Sequence, residues 1–265
     1  MDAAHEIFEK PFKVALTFAK RDTPENYRSW PDGRDLPKQM DVWQVQGKLR
    51  SQNYGLVSDG YGFLDSPDCE FISGGINSKG PGSVAIGRQA NLLLWGFCAS
   101  PSEMTEEARR VFLNAIVYMK RYGGARPAVE KTRPAREWAL LYAAYLGKKD
   151  ADWAEKQFAP ELLKRPDATT FESILRADLE YLWSDGAFRI DEDAKALGIG
   201  NRDARLLDRC IEMLGTEDAT RAKAILARYV PEKFDTAAQW KEWLQKNRER
   251  LYFTDTGGYC WRVRD

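Results

Sequence analysis

Hydrophobic and polar positions follow one pattern before about residue 100 and another after it. In the first part, short runs either alternate apolar and polar side chains or are continuously apolar, as β-strands do. The runs that predict strands are residues 12–19, 41–46, 69–75, 83–87 and 91–97. The last two predict an antiparallel hairpin that turns at residues 87–90. Because residues 91–97 are almost continuously apolar, we expect this strand to be covered on both faces.

After residue 100, apolar residues recur every three or four positions, which is the period of an amphipathic helix. Ser100, Pro101 and Glu103 predict a helix start with Ser100 as N-cap. The apolar residues from Met104 to Met119, including Ile116, are then expected to share the buried face. Further helices are predicted at residues 135–147, 152–164, 169–183, 201–214, 218–230 and 236–251, and a terminal hairpin at 251–263 turns at 256–258.

The change of pattern also predicts how the chain is organised. Two glycines, two prolines and several basic residues lie between residues 122 and 136 and favour a linker at 125–136. We therefore expect an α/β domain over residues 1–124 and a helical region with a terminal hairpin over residues 137–265.

Composition excludes several classes of protein. Lys+Arg and Asp+Glu each number 40, so the chain lacks the excess positive charge of a nucleic-acid-binding protein. No apolar run has the length of a membrane span. The first residues do not have the pattern of a signal peptide, and the early start of strand-like sequence leads us to expect the C-terminal part of a longer gene product. If that longer protein is secreted, an extracytoplasmic location follows.

Cysteine and histidine usage limits the possible chemistry. Cys69, Cys98, Cys210 and Cys260 are far apart and form no C-x-x-C pair, which argues against zinc ribbons and thioredoxin-type sites. His5 is the one histidine in the sequence, so sites that need two histidines are excluded. We expect no bound cofactor and no resident metal.

Cys98 is the first candidate for catalysis. It follows an apolar run in LLLWGFCASPSEM, and a cysteine on a turn between a strand and a helix can act as a nucleophile. His5 would have to serve as its base. The predicted helix starts two residues too late to activate the thiol, so the sequence favours a buried, slowly reacting Cys98.

Two loops are weaker candidates for ligand binding. The Gly-rich segment 74–88 carries Lys79 and Arg88 and is a possible anion-binding loop, although it lacks the P-loop spacing. The segment 59–70 offers Asp59, Asp65 and Asp68, with Glu70, as oxygen ligands for calcium. Their spacing is not that of an EF-hand and also suits ordinary turns.

Aromatic residues near these loops are the remaining candidates. Tyr27, Trp30, Trp43 and Tyr61, with Tyr54 and Phe63, lie in or beside segments rich in glycine and proline. Loop aromatics held on a rigid sheet suit a glycan or a protein partner. The alternative is that they fold back and cover the sheet. Trp138, Trp240 and Trp243 have the spacing of helical core residues.

Part of the sequence resembles a known family. HEIF at residues 5–8, DSPDCEFISGG at 65–75 and SVAIGRQANLLLWGFCASPSEM at 83–104 resemble the C-terminal part of amidotransferase-like domains of the trehalose-utilisation (ThuA-like) group. Gly87-Arg88 matches the family's turn between two strands, and Asn114-Ala115-Ile116 matches its helix. The resemblance covers residues 5–122 and implies a flavodoxin-like fold whose nucleophile-bearing loop is absent from this chain. The segment 234–253 resembles a helical region found after HEAT-like repeats in bacterial proteins.

Two functions follow from these observations. The first is a non-catalytic binding or scaffold module, in which a partial amidotransferase-like sheet is joined to a helical interaction region. The second is a hydrolase or transferase of carbohydrate or acyl chemistry that uses Cys98 or the carboxylates of Asp59, Asp65 and Asp68. An enzyme would need its acid, base and oxyanion donors within hydrogen-bonding reach of one pocket.

Overall fold

The computed structural model describes residues 1–47, 56–146, 148, 152–164 and 168–264. The chain divides into two compact units, Met1–Ala128 and Val129–Asp265. The boundary lies inside the segment predicted to be a linker. Within that segment, Val129, Ala135 and Arg136 are buried.

The first unit combines two small antiparallel sheets with one long helix. Strands β1 (Phe18–Asp22) and β2 (Gln39–Trp43) form a two-stranded ribbon. Strands β3 (Cys69–Gly74), β4 (Val84–Gln89) and β5 (Leu92–Trp95) form a sheet in that order, and helix α1 spans Glu106–Met119. Its core contains Phe8, Trp43, Ile72, Ile86, Met104 and Val111.

The predicted β4–β5 hairpin is confirmed, but it turns at residues 90–91 rather than at 87–90, and β5 is less covered than predicted. Gly87 pairs with Leu94, and Ala90 in the turn has a positive φ of 47°. Strand β4 is buried along most of its length, and both of its edges are paired, with β3 and with β5. Strand β5 is at the edge, and Leu92 is 61% exposed, so the prediction that β5 is covered on both faces is wrong.

The strand predicted at residues 12–19 begins later than expected. Strand β1 starts at Phe18. Before it, two side chains of α1 hold the backbone: Asn114 accepts from the Phe12 N–H (3.0 Å), and Glu107 accepts from the Thr17 N–H (2.9 Å). These long-range bonds replace the strand pairing that local alternation predicts.

Helix α1 also begins later than the sequence indicates. Its N-cap is Thr105, whose Oγ1 accepts from the Ala108 N–H (3.2 Å). Ser100 instead forms a separate turn, in which Glu103 Oε2 accepts from the Ser100 Oγ (2.8 Å). The helix buries Ala108, Val111, Ala115 and Tyr118. Ile116 is 49% exposed, so its predicted place on the buried face is wrong.

The second unit contains eight helices and two hairpins in the described part of the chain. The helices are α2 (Glu137–Ala143), α3 (Asp152–Glu155), α4 (Pro160–Leu163), α5 (Ala168–Ala177), α6 (Glu192–Leu197), α7 (Arg205–Met213), α8 (Ala219–Tyr229) and α9 (Ala237–Asn247). The hairpins are β6 (Leu182–Ser184) with β7 (Phe188–Ile190), and β8 (Leu251–Thr254) with β9 (Cys260–Val263).

The predicted terminal hairpin is confirmed by β8 and β9. The β6–β7 hairpin was not expected, because the helical pattern of residues 169–183 continues into β6. It turns near Gly186, which has a φ of +134°. The second unit therefore contains a hairpin among its helices as well as the predicted one at its C-terminal end.

The fold is α/β in the general sense of helices combined with small sheets. All four sheets in the described residues are antiparallel. A flavodoxin-like sheet is parallel, so that part of the expected fold is not confirmed.

Candidate functional site

A cleft of about 480 Å³ lies within the first unit. Its volume falls in the range of roughly 300–1,000 Å³ that is usual for ligand sites. Residues 40–43 of β2 form one wall, and residues 73–76 at the end of β3 form another. Residues 81–83 and 96–98 also border it. Ribbon and sheet therefore build the cleft together.

The lining is mainly apolar. Side chains of this kind include Phe18, Leu36, Val57, Ile76, Pro81 and Phe97. No lysine, arginine or histidine is among the described lining residues. This lining is typical of a site for an uncharged ligand.

The polar side chains at the cleft have partners inside the protein. The Ser73 hydroxyl donates to the Gly74 carbonyl (2.8 Å), and the Ser83 hydroxyl donates to the Gly80 carbonyl (3.2 Å). Asp41 forms an exposed ion pair with Lys20 at 2.8 Å. These bonds leave apolar contact as the main means by which the lining side chains would bind a ligand.

Tyr27 and Asn77 shape the loop that borders the cleft. Tyr27 is buried, and its hydroxyl accepts from the Asn77 N–H (3.1 Å). Asn77 Oδ1 accepts from the backbone N–H groups of Lys79 (2.6 Å) and Gly80 (3.1 Å). Burial raises the pKa of Tyr27, and the Asn77 bond only partly opposes that effect. The phenol is therefore a neutral structural anchor.

The groups of the possible anion-binding loop have partners inside the protein. Two of its amides already bind Asn77, and the Lys79 ammonium donates to the Val57 carbonyl (3.1 Å). Arg88 binds Glu70 instead. Neither Lys79 nor Arg88 lines the cleft, so the two cations do not converge on a common ligand.

The predicted aromatic surface is largely folded into the protein. Tyr27 and Trp43 are buried, although both contribute atoms to the cleft, and Phe63 is buried as well. Trp30 and Tyr61 are half-buried, with ring centroids 6.2 Å apart. Tyr54 lies outside the described residues. This burial favours the alternative in which the loop aromatics cover the sheet.

Cys98 is exposed at the border of the cleft, so its predicted burial is wrong. Strand β5 ends at Trp95, and Cys98 lies beyond the part of the chain that the sheet covers. His5 is placed elsewhere: its ring contacts Tyr118, and its Nε2 lies 3.7 Å from Glu70. The proposed nucleophile and its base are therefore not brought together in one pocket.

Glu70, Arg88 and Tyr118 form a polar cluster that the sequence reading missed. Glu70 and Arg88 are register partners on β3 and β4, and Arg88 Nε lies 2.8 Å from Glu70 Oε2. The Tyr118 hydroxyl donates to the same carboxylate. The sequence contains one indication of this cluster. Arg88 follows the apolar run 83–87, and the neighbouring strand carries an acid, Glu70.

Charge and hydrogen bonding hold this cluster together. Burial by itself would raise the pKa of Glu70, but hydrogen bonds from Arg88 and Tyr118 outweigh it and lower that pKa. Burial and the bond to Glu70 both raise the pKa of Tyr118. Arg88 also lies 3.9 Å from the centroid of the Tyr122 ring. The cluster joins β3, β4 and α1 as a structural element.

Two of the predicted carboxylate ligands accept from backbone N–H groups, one within a turn and one across 60 residues. Asp59 Oδ1 accepts from the Tyr61 N–H (3.0 Å), and Asp68 Oδ2 accepts from the Ala128 N–H (3.1 Å). The backbone N–H of Asp65 donates to the Gly62 carbonyl (3.3 Å). Across the described residues, no three His, Cys, Asp or Glu side chains are grouped to hold a metal ion.

Comparison with known proteins found no matching family model, no matching curated protein and no matching solved structure. In the described part of the chain, no helix combines the length and apolarity needed to cross a membrane.

Proposed function

We propose that the first unit is a non-catalytic binding module whose cleft takes an uncharged, largely apolar ligand. The observation that carries this proposal is a cleft of about 480 Å³ with apolar side chains and no cationic side chain among its described lining residues. The internal pairing of Ser73, Ser83 and Asp41 supports it. The two expected partners were a protein and a glycan. Because a glycan needs many polar partners, this apolar lining favours a protein segment.

We further propose a relation of each unit to known domains. The resemblance of residues 5–122 to ThuA-like domains supports an amidotransferase-like module. The HEAT-like resemblance of the C-terminal segment supports a scaffold role for the second unit.

The exposed thiol of Cys98 favours the competing enzyme hypothesis, since it borders the cleft. A thiol nucleophile needs a base or another means of activation. His5 contacts Glu70 and Tyr118. The location of His5 supports the binding module over acyl chemistry by Cys98.

Binding of Nile red, an uncharged apolar dye, tests the proposal. Phe18 lines the cleft and is 45% exposed, whereas Phe12 is 46% exposed and does not line it. Phe18→Ser should weaken dye binding several-fold, and the matched Phe12→Ser variant should leave it unchanged. Bound dye should also slow labelling of Cys98 by Ellman's reagent. Equal effects of the two variants, with no protection of Cys98, would exclude the cleft as the binding site.

A further inference from the structure

We propose that the cleft binds an extended peptide segment of another protein, which adds as a strand to the free edge of β2. This inference rests on the proposed function, since it names the ligand class of the same cleft. The supporting observation is that consecutive residues of β2 line the cleft.

The cleft contacts consecutive residues of β2 and not one face of the strand alone. Successive side chains of a strand point to opposite faces, so a cleft over one face would contact every second residue. This cleft contacts four consecutive residues, 40–43, together with Phe18 of β1, the register partner of Trp43. The main chain of residues 40–43 therefore borders the space in which a ligand would lie.

That edge has no strand partner within the described residues. Strand β2 pairs with β1, from Phe18↔Trp43 to Asp22↔Gln39, and the sheet has these two strands alone. Just beyond β2 the chain does have main-chain partners: the Val45 carbonyl accepts from the Thr105 N–H (2.8 Å), and the Gly47 N–H donates to the Glu103 carbonyl (2.8 Å). The unpaired stretch thus coincides with the cleft.

A two-stranded ribbon gains stability from a third strand, since isolated pairs are marginal. Unpaired strand edges are templates for pairing with another chain, and strand addition is an established mode of peptide recognition. The exposed burial pattern of β1, which carries Lys20, Arg21 and Asp22, protects the other edge with charge. The edge of β2 is therefore the one to which we expect a peptide strand to add.

The rest of the lining leaves room for a main chain. Gly74, Gly75, Gly82 and Gly96 border the cleft without side chains. A Cβ added to Gly82 would have no heavy atom within 4 Å, whereas one added to Gly74, Gly75 or Gly96 would meet protein atoms at 3.3, 2.8 and 2.9 Å, respectively. Open space for a main chain therefore lies at Gly82.

The charges identify the kind of peptide. No lysine, arginine or histidine side chain is among the described lining residues, and the one carboxylate, Asp41, is paired with Lys20. Apart from the α-amino group of Met1, the described lining therefore offers a charged peptide side chain no partner for the water that it would lose. The occupant is therefore an uncharged segment with apolar side chains at alternate positions, which would contact groups such as Phe18 and Phe97.

A library of capped, uncharged hexapeptides, each labelled with a fluorophore, tests the inference by fluorescence anisotropy. We expect binders that alternate apolar and small polar residues. Their affinity should fall several-fold in Phe18→Ser and stay unchanged in Phe12→Ser. Absence of any hexapeptide that binds more tightly than about 1 mM would overturn the inference.

Backbone N-methylation of the best hexapeptide then distinguishes strand addition from simple apolar contact. Alternate N–H groups of an antiparallel strand point toward its partner. Methylation at one set of alternate positions should weaken binding at least about tenfold, from the loss of two or more hydrogen bonds. Methylation at the other set should have little effect.

Equal effects of the two sets would rule out strand addition. Nile red binding that depends on Phe18, combined with equal methylation effects, would leave the proposed function in place and remove this inference alone. If Nile red binding did not depend on Phe18 and the two methylation sets had equal effects, both the proposed function and this inference would be overturned.

Discussion

Arg136 and Asp255 form a two-point ion pair in the interior of the second unit, with Nε 2.8 Å from Oδ2 and Nη2 2.7 Å from Oδ1. The side chain of Arg136 is 3% exposed and that of Asp255 is 0% exposed. Arg202 also donates to Asp255, at 2.6 Å, and Asn201 accepts from Arg136 at 2.9 Å. Burial opposes the charge of Arg136, but Asp255 outweighs it and raises the pKa of Arg136.

Removal of Asp255 should strongly destabilise the second unit. Asp255→Ala leaves the buried guanidinium of Arg136 without its carboxylate, and such a loss typically costs about 3–5 kcal/mol. Urea unfolding would give the free energy, and hydrogen-exchange mass spectrometry of peptides after residue 129 would locate the change. The matched control is Asp208→Ala, which breaks a partly exposed pair with Arg248 and should cost less than about 1 kcal/mol. Similar losses in the two variants would contradict a special role for the buried pair.

Glu70 should make the stability of the first unit depend on acid pH. Because its pKa is lower in the folded protein, ionised Glu70 stabilises the fold above the ordinary carboxyl pKa of about 4.3. This contribution is lost as the pH falls from that value through the folded pKa. Glu70→Gln should therefore show a flatter dependence of the melting temperature between about pH 7 and pH 3.

His5, Arg88 and Tyr118 all face the carboxylate of Glu70, so the effect belongs to the cluster as a whole. Glu9→Gln is a suitable control, since Glu9 pairs only with the exposed Lys13 among the described ion pairs. An unchanged pH dependence in Glu70→Gln would show that the cluster does not couple stability to protonation.

Gly80 should tolerate substitution much less well than Gly124. Both have positive φ, +132° and +85°, so alanine strains the backbone at either site. A Cβ on Gly80 would lie 2.4 Å from Cε2 of Trp30, whereas one on Gly124 would have no heavy atom within 4 Å. Gly124→Ala should cost about 1–2 kcal/mol, and Gly80→Ala should cost clearly more, as measured by thermal unfolding.

The double variant Gly80→Ala with Trp30→Ala separates steric clash from backbone strain. If the Trp30 ring is the obstacle, the two losses should be non-additive, with the double variant more stable than the sum predicts. Simple additivity would mean that Trp30 does not press on the loop at Gly80.

The sequence alone was sufficient where structure depends on near neighbours. The β4–β5 and β8–β9 hairpins followed from apolar runs separated by short turns, and α1 followed from its 3.6-residue period. Such elements form from hydrogen bonds and side-chain contacts within a few residues. The same reasoning found Cys98, Tyr27 and Trp43, which border the cleft, but assigned Cys98 the wrong exposure.

The tertiary structure decided everything that depends on distant residues. Asn114 and Glu107 hold the segment before β1, and these contacts span 102 and 90 residues. Strand β4 is the central strand because β3 pairs with its other edge, and the sequence of the hairpin does not contain that partner. The cleft exists because the packing brings residues of β2 together with residues at the end of β3 and just after β5. Local periodicity predicts which residues share a face, but only chain packing determines which edges remain unpaired.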